Sequence, residues 1–240
     1  MHFTYHKIGY GIQVGINKVS IEQFRKHLKF LANQKLDNNF YINFDDGYEC
    51  IYKNAFPYLL EYKISNIIFP VIGYIGKYNT WDINFLINKE RHMNVEQIQE
   101  MSRHGSVFGS HGMNHIPITL MTKLEFEDDL KKSKLILENI TNKEVRHFCP
   151  PFGSIREEHI ESILKFGYTQ IMIQTTPYTV KLKKKNPNVI CLTNSIYKID
   201  STYSLNRKLR NNKLEGIKEQ FIHSCSVGTI IVNSLLRRYN

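Results

Sequence analysis

The chain has 240 residues, of which 42% are hydrophobic and 22% charged, and this composition excludes a wholly disordered protein. The length suits one large domain, so we expect residues 1–240 to form a single unit. The net charge of +10 indicates either a solvated basic surface or an anionic partner such as nucleic acid, a phosphorylated sugar or a membrane face.

The predicted elements alternate between amphipathic helices and short apolar strands. The first helix is expected at 19–34, where Ser20 is a candidate N-cap and Phe24 and Leu28 follow at helical spacing. The other predicted helices cover 50–62, which contains Pro57, and 94–105, 122–140, 156–167 and 202–222. The predicted strands cover 40–44, 66–72, 106–111, 145–151, 169–174, 189–192 and 228–232. This alternation predicts parallel strands with helices outside, in either a barrel or a doubly wound sheet.

Three polar or special-geometry segments follow predicted strands. DDG at 45–47 follows the strand at 40–44, SHGMNH occupies 110–115, and PPFG occupies 150–153. In both α/β architectures the carboxyl ends of parallel strands carry the chemistry. We therefore expect these segments to converge on one rim.

Two histidines and two carboxylates in these segments suit a catalytic metal site. His111 and His115 are four residues apart, which on one helical turn would let both imidazoles reach one cation. If Asp45 or Asp46 also binds that cation, the other carboxylate stays ionised nearby and can take a proton from water. From the residues alone, two surface histidines and an ordinary turn at DDG remain the alternatives.

Three motifs resemble the polysaccharide deacetylase family, also called the NodB-homology domain or carbohydrate esterase family four. They are FDDGY at 44–48, SHGMNH at 110–115 and RHFCPPFG at 146–153, in that order. The resemblance extends over roughly residues 3–235 and implies a distorted (β/α)7 barrel that removes an N- or O-acetyl group from a sugar.

The resemblance also implies roles for individual residues. It assigns Asp46, His111 and His115 as metal ligands and Asp45 as the catalytic base, with a backbone donor to the oxyanion near Phe152. Zn²⁺ is the expected metal, with Ni²⁺ and Co²⁺ as alternatives.

Two positions depart from the family pattern. Cys149 stands where many members have an arginine that holds the catalytic aspartate, and Arg146 is expected to face elsewhere. Asn233 follows the predicted strand 228–232, where many members have a histidine that acts as general acid. Asparagine cannot replace that acid, so acid catalysis must come from another group, from water, or not at all. The histidines that could supply it are His6, which lies in FTYHKIGY at 3–10 where the chain resembles the family's early strand, and His104, His147 and His223.

Four further residues are candidate contacts for a substrate. Trp81, the single tryptophan, either stacks on a sugar ring or covers the barrel mouth, and packing is the favoured interpretation. Tyr48, Pro151 and Asn233 are the other candidates.

Cysteine usage and the N-terminal sequence bear on location. The four cysteines are far apart and form no C-x-x-C pair, which excludes a zinc module and a dense disulfide framework and favours reduced thiols. No signal-peptide pattern and no run of about 18 apolar residues is present. We therefore expect a cytoplasmic protein. Peripheral association with a membrane surface is compatible with this expectation.

These expectations combine into one leading function and two alternatives. The leading function is metal-dependent removal of an acetyl group from an amino sugar in a nucleotide- or lipid-linked precursor, whose phosphate would suit the basic chain. The alternatives are a deformylase acting on an N-formyl amino sugar and a glycan-binding member without activity. The lysines and arginines are distributed along the whole chain, with KLKKK at 181–185 and the C-terminal LRRYN as the two exceptions. Because the sequence also contains no recognisable nucleic-acid-binding module, we expect no nucleic-acid partner.

Overall fold

Parallel β-strands form the centre of the molecule. The computed structural model describes residues 1–11, 15–37, 39–81, 89–210, 215–216, 218–219 and 222. Its strands are β1 His2–Tyr5, β2 Lys7–Ile8, β3 Lys18–Val19, β4 Tyr41–Asp46, β5 Asn66–Pro70, β6 Val107–Phe108, β7 His147–Phe148, β8 Gln170–Gln174 and β9 Ile190–Ser195. Seven of them form one parallel sheet in the order β6-β5-β4-β1-β9-β8-β7, and β2 pairs with β3 separately.

Ser110 brings the two edges of this sheet together. Its N–H donates to the carbonyl of His147 at 2.9 Å, and its own carbonyl accepts from the N–H of Cys149 at 2.9 Å. The resulting parallel bridge between Ser110 and Phe148 nearly closes the sheet into a barrel. With helices packed outside it, this barrel confirms the expected (β/α)7 fold.

Helices cover the outside of the barrel. They are α1 Ile21–Ala32, α2 Glu49–Asn54, α3 Phe56–Tyr62, α4 Val95–Arg103, α5 Lys123–Thr141, α6 Glu158–Lys165, α7 Pro177–Lys185 and α8 Thr202–Leu209. Ser20 caps α1 as predicted, because its side chain accepts a hydrogen bond from the N–H of Gln23.

Alternation along the strands separates an outer core from the barrel interior. Phe3 and Tyr5 of β1 and Phe44 of β4 are buried in the large cluster beneath the helices. The intervening side chains face the other side of the sheet, because successive residues of a strand point to opposite faces. A separate small cluster of Ile67, Phe69, Cys149 and Met172 fills that interior. Polar residues at the strand ends lie above this apolar filling.

The predicted helix at 50–62 is two helices. The break falls at Ala55, whose φ of −110° lies outside the usual helical range, and Pro57 occupies the first turn of α3. Proline has no N–H and its ring clashes with the carbonyl four residues earlier, so it cannot lie inside a continuous helix. The first turn tolerates it because the N–H groups there lack helical partners.

Several other boundaries differ from the predictions. The strand expected at 66–72 ends at Pro70, and those expected at 106–111 and 145–151 shorten to β6 and β7. The helix expected at 202–222 is described as α8 to Leu209, and the predicted strand 228–232 lies outside the described residues. Helix α7 was not predicted, although Thr176 and Thr179 form a capping box around Pro177.

Two observations bear on thiols and membranes. Cys50, Cys149 and Cys191 are free, and Cys225 lies outside the described part of the chain. Within the described residues, no helix has both the length and the apolar character needed to cross a bilayer.

Candidate active site

The end of β4 turns sharply at Asp46. This residue has φ of +68° and is followed by Gly47 at +70°, both in the left-handed region. A side chain at Gly47 would place its Cβ 2.6 Å from the Cα of Pro70, so the chain can pass β5 only as glycine. Asp46 and Asp45 therefore present their carboxylates at the carboxyl end of the strand.

His111 is held with one nitrogen directed at Asp46. Its Nδ1 lies 2.7 Å from the carbonyl oxygen of Cys149, and because a carbonyl only accepts, Nδ1 carries the proton. Its Nε2 lies 3.5 Å from Oδ1 of Asp46. This arrangement leaves the Nε2 lone pair available as a metal ligand.

His115 reaches the same carboxylate oxygen through a loop. Its Nε2 lies 3.2 Å from Oδ1 of Asp46. The expectation that His111 and His115 share one helical turn is wrong, because Gly112 has φ of +74° and His115 has φ of +53°. The irregular backbone, rather than helical spacing, brings the two imidazoles together.

Two aromatic rings hold the imidazole of His115. Trp81 stacks on it with ring centroids 4.7 Å apart, and Phe152 lies 4.5 Å away. Trp81 is only 7% exposed and also meets Tyr74 edge-on. Trp81 thus packs against its neighbours, and it also lines the cavity above the site.

Backbone hydrogen bonds fix the loop that carries both histidines. The N–H of Ile72 donates to the carbonyl of Gly112 at 2.9 Å, and the N–H of Gly73 donates to that of Met113 at 2.8 Å. A Cβ on Gly73 would lie 2.5 Å from the Met113 oxygen. From α5, Asp129 accepts the N–H of Met113 at 3.0 Å. The loop is thus held from two sides.

The three predicted ligands fit a divalent cation. The ligand atoms of Asp46, His111 and His115 lie within 4.8 Å of one another and all three residues are buried. Ligands bound tetrahedrally at about 2.1 Å would be about 3.4 Å apart, close to the 3.5 and 3.2 Å measured here. Burial opposes ionisation of Asp46, but the neighbouring imidazoles of His111 and His115 favour its ionised form and hold its pKa well below the usual range. The site therefore offers an ionised carboxylate and two imidazoles, a donor set typical of zinc.

Asp45 lies beside a thiol instead of a guanidinium. Its Oδ1 is 3.7 Å from Sγ of Cys149, which can donate a weak S–H hydrogen bond. Burial raises the pKa of Asp45, while His111 and His6 act in the opposite direction. Arg146 forms an exposed ion pair with Glu144, which confirms that it faces away. A raised pKa suits a carboxylate that must accept a proton.

A cavity of about 230 Å³ opens above these groups. Its lining includes Asp45, the predicted base, and Phe152, the predicted oxyanion donor. His6, one of the candidate proton donors, lines the same cavity. Pro150, rather than the predicted Pro151, contributes to the wall. Asn233 lies outside the described residues.

Tyr48 also lines the cavity but is almost wholly buried. Its ring stacks on His92 at 4.6 Å and receives Lys7 Nζ at 4.3 Å, and its hydroxyl accepts from Asn79 at 3.1 Å. These contacts favour a supporting role over direct stacking on a sugar.

Sequence reasoning missed two supporting residues. His92 donates from Nδ1 to the backbone carbonyl of Asp46 at 2.9 Å, and no spacing in the sequence pointed to it. Asp129 could have been identified from the sequence, because it lies on the buried face of α5 between Phe126 and Leu130. Carboxylates are rarely buried without a partner, so its position indicates a structural or functional contact.

A family model described as polysaccharide deacetylase matches residues 32–171, more than half of the chain. The chain belongs to the polysaccharide deacetylase family. The match contains Asp45, Asp46 and both histidines of the site, and it extends past Phe152.

Relatives within the polysaccharide deacetylases are of moderate similarity. The chain is 32% identical over 136 residues to the poly-beta-1,6-N-acetyl-D-glucosamine N-deacetylase of Staphylococcus epidermidis, covering 53% of this chain and 45% of that protein. It is 30% identical over 136 residues to YxkH of Bacillus subtilis, whose name assigns it to the polysaccharide deacetylases, with 57% and 44% covered. The chain spans about half the length of the curated relatives it matches.

Solved polysaccharide deacetylase structures share the fold. The Streptococcus pyogenes deacetylase PplD, in complex with acetate, superposes with a TM-score of 0.70 at 16% identity, covering 86% of this chain and 96% of that one. IcaB from Ammonifex degensii gives 0.63 at 20% identity, with 72% and 82% covered. At these identities the likeness supports the barrel architecture.

Proposed function

We propose that this chain hydrolyses the N-acetyl group of an amino sugar, with Asp45 as base and a divalent cation held by Asp46, His111 and His115. The observation that carries the proposal is a buried cluster of one carboxylate and two imidazoles, with a second carboxylate beside it in one cavity. Zn²⁺ is the proposed ion, with Ni²⁺ and Co²⁺ as alternatives, because nitrogen and carboxylate ligands suit all three. When bound, such a cation would polarise the acetyl carbonyl and lower the pKa of water.

The chain's own groups supply the remaining steps. Asp45 accepts a proton from the attacking water, a role favoured by the burial that raises its pKa. The N–H of Gly153 is engaged with the carbonyl of Pro150 at 2.9 Å, so we assign the N–H of Phe152 as donor to the oxyanion. Phe152 has φ of +60°, and this turn directs its backbone differently from a regular helix.

The amine that leaves must gain a proton, and we assign His6 as its donor. His6 follows β1, lines the cavity and is close enough to influence the pKa of both carboxylates. His104 lies on the surface, with its Nδ1 directed at the carbonyl of Glu100 in α4. His223 lies outside the described residues.

A leaving-group comparison tests His6. An aryl acetate releases a phenolate that needs no proton, whereas an acetamide releases an amine that does. His6→Ala should therefore reduce kcat on the acetamido sugar by about 10²- to 10⁴-fold, and reduce aryl acetate hydrolysis much less. Equal losses on both substrates would remove His6 from this role.

Two neighbouring carboxylates provide a matched test of the site. Asp46→Ala should lose both bound metal and acetate release. Asp45→Asn should keep the metal, measured by elemental analysis after dialysis, and lose acetate release. Metal that stays bound in Asp46→Ala would contradict the proposed ligand set, and turnover that persists in Asp45→Asn would contradict the base.

The substrate class follows from the relatives. Several are named poly-beta-1,6-N-acetyl-D-glucosamine N-deacetylases, so N-acetylglucosamine in an oligosaccharide is the first candidate. The net charge of +10 favours a phosphate-bearing nucleotide- or lipid-linked saccharide as the second. Mass spectrometry of acetylated and formylated sugars after incubation with metal-loaded protein distinguishes a deacetylase acting on either candidate substrate from a deformylase. Loss of acetyl groups supports the deacetylase, and loss of formyl groups supports the deformylase. A panel in which no sugar is hydrolysed would leave the glycan-binding alternative.

A further inference from the structure

One arc of the cavity wall is polar and, apart from His6 directly after β1, carries no part of the proposed chemistry. The metal ligands and base come from the region of β4 and β6, whereas strands β1, β9 and β8 form the arc that runs on from β4 toward β7. Besides His6, Met172 and Ile173, the cavity-lining residues contributed by or next to this arc are uncharged hydrogen-bonding groups, namely Thr4, Gln174, Thr193, Ser195 and Tyr197.

Thr4 supplies the first indication that this wall meets a ligand. It is only 3% exposed, and its Oγ1 has no hydrogen-bond partner among the described residues. Its neighbours Phe3 and Tyr5 point into the outer core, so the Thr4 side chain faces the barrel interior, where it lines the cavity. Buried hydroxyls are normally paired, and a missing partner requires an explanation. A ligand hydroxyl in the cavity would provide that partner.

Tyr197 supplies the second indication. Its hydroxyl accepts a hydrogen bond from Nε2 of Gln174 at 3.2 Å and also interacts with the side chain of Ser195, so a ligand acceptor would share its proton with Ser195. Burial raises the pKa of Tyr197 to about 12, so the hydroxyl keeps that proton. Its N–H is tied to Asp200 at 2.9 Å, which fixes the residue in place. Tyr197 thus places a fixed hydroxyl on the cavity wall.

The charges around this wall disfavour a phosphate site there. None of the described residues that line the cavity is a lysine or an arginine. Lys208 lies 5.6 Å from the Tyr197 ring centroid, but Glu219 at 2.6 Å and Asp200 at 3.5 Å neutralise it. Apart from His6 and the proposed metal ligands, no described residue of the cavity lining offers a cationic partner, and a phosphate buried at this wall without one would be strongly disfavoured. Uncharged hydroxyl and amide groups suit the wall better.

The size of the cavity limits how much of a saccharide it can hold. Its volume of about 230 Å³ is below the roughly 300–1,000 Å³ typical of pockets for larger ligands. One sugar unit is therefore the appropriate occupant, and the remainder of a chain would lie outside.

We propose that Thr4, Gln174 and Tyr197 form a subsite that binds the hydroxyl groups of the uncharged sugar unit whose acetyl group lies at Asp45. This inference rests on the proposed function and narrows its substrate. A phosphate carried by the substrate would have to lie outside the cavity.

Binding without turnover tests the subsite. The background is Asp45→Asn loaded with Zn²⁺, titrated calorimetrically with a β-1,6-linked N-acetylglucosamine tetrasaccharide. Tyr197→Phe should raise Kd by about 3- to 10-fold, the effect of losing one neutral hydrogen bond. Tyr203→Phe is the matched control, because Tyr203 is 67% exposed on α8, and it should leave Kd unchanged. An unchanged Kd in Tyr197→Phe would overturn the subsite.

Thr4→Val separates a ligand contact from a structural one. Valine has the same shape and lacks the hydroxyl, which has no described partner in the protein. We expect Tm to stay the same or rise while Kd for the tetrasaccharide increases by about 3- to 10-fold. A fall in Tm with Kd unchanged would assign the hydroxyl to the fold and overturn the inference.

The charge assignment has its own comparison. N-acetylglucosamine should bind the same protein at least as tightly as N-acetylglucosamine 1-phosphate. A Kd for N-acetylglucosamine 1-phosphate that is tenfold lower than the Kd for N-acetylglucosamine would overturn the uncharged subsite. If the tetrasaccharide binds through Tyr197 and Thr4 but the protein with Asp45 releases no acetate, the proposed function fails and the subsite stands. If acetate is released while Kd is insensitive to both substitutions, the proposed function stands and the subsite fails.

Discussion

The imidazole of His92 donates a hydrogen bond to the backbone carbonyl of Asp46 across 2.9 Å. Its ring is stacked on Tyr48 and lies 4.8 Å from Trp81. Burial lowers the pKa of His92 to about 4, so the ring is neutral at physiological pH and Nδ1 holds its single proton. His92 therefore fixes the left-handed turn that points Asp46 at the two histidines.

His92→Phe should weaken metal binding while keeping the aromatic packing. Loss of a group that orients a ligand typically costs 10- to 100-fold in metal affinity, and we expect a change of about that size. Competition with a chromophoric chelator measures it. His104→Phe is the control, since His104 is exposed at the end of α4. Equal affinities in the two variants would show that Asp46 does not depend on His92.

Cys149→Ser should move the acidic limb of the pH–rate profile to lower pH. Activity on that side falls as Asp45 becomes protonated, and burial raises the pKa of Asp45. A hydroxyl is a stronger donor than a thiol, so serine would stabilise the carboxylate and lower its pKa. The measurement is kcat against pH for metal-loaded protein. Cys191→Ser, which alters a thiol paired with Gln170, should leave the limb in place.

Asp129→Asn should change stability in a pH-dependent manner. Burial raises the pKa of Asp129 to about 6, above its unfolded value near 3.9, so the folded protein holds this proton more tightly. The ionised carboxyl therefore costs stability above pH 6, and the cost disappears as pH falls below about 4. The shift corresponds to about 2–3 kcal/mol.

The stability of the Asp129→Asn variant relative to the parent should be about 2–3 kcal/mol more favourable at pH 8 than at pH 4, measured by urea unfolding. Asp128→Asn changes the exposed neighbour and should show no such difference. A constant difference between parent and Asp129→Asn at both pH values would contradict the prediction.

Lys208→Met should destabilise the fold strongly. Lys208 is buried and its Nζ contacts Glu219 at 2.6 Å, Asp200 at 3.5 Å and the carbonyl of Ser195 at 2.5 Å. Removing one partner of a buried pair leaves an uncompensated charge, at a cost of about 3–5 kcal/mol. Replacing Glu219 by leucine as well should recover part of this loss.

Lys132→Met provides the matched control for Lys208. Its partner Asp128 is exposed, and such surface pairs contribute about 0–1 kcal/mol. Urea unfolding of the three variants measures the differences. Similar losses at the buried and exposed lysines would show that the buried pair is not a stabilising element.

The alternation of strands and helices predicted a parallel α/β fold, the family resemblance narrowed it to the barrel, and the motifs indicated which side chains would meet. Strand ends of parallel sheets converge, so motifs that follow separate strands meet in space, and Asp46, His111 and His115 do so. The two short strands β2 and β3 were not predicted, because two residues are too few for any periodicity. The sequence does contain the information for the break between α2 and α3, because Pro57 disfavours a continuous helix over 50–62.

The conformation and support of the site could not be read from the sequence. His115 joins the cluster through a left-handed backbone conformation rather than helical spacing. Its orientation depends on Trp81 and Phe152, which lie 34 residues before and 37 residues after it in the chain. Contacts between residues so far apart depend on tertiary packing, which no local pattern encodes.

The Ser110 bridge makes the site a reporter of barrel integrity. Ser110 closes the barrel with two backbone hydrogen bonds, and the next residue is a proposed metal ligand whose other nitrogen binds the carbonyl of Cys149 across the same seam. Opening of this seam would separate His111 from the carbonyl of Cys149 that orients it. An ion bound at the three ligands would stabilise the closed barrel relative to states in which the seam is open. Hydrogen exchange at the amides of Ser110 and Cys149 should therefore slow on metal loading.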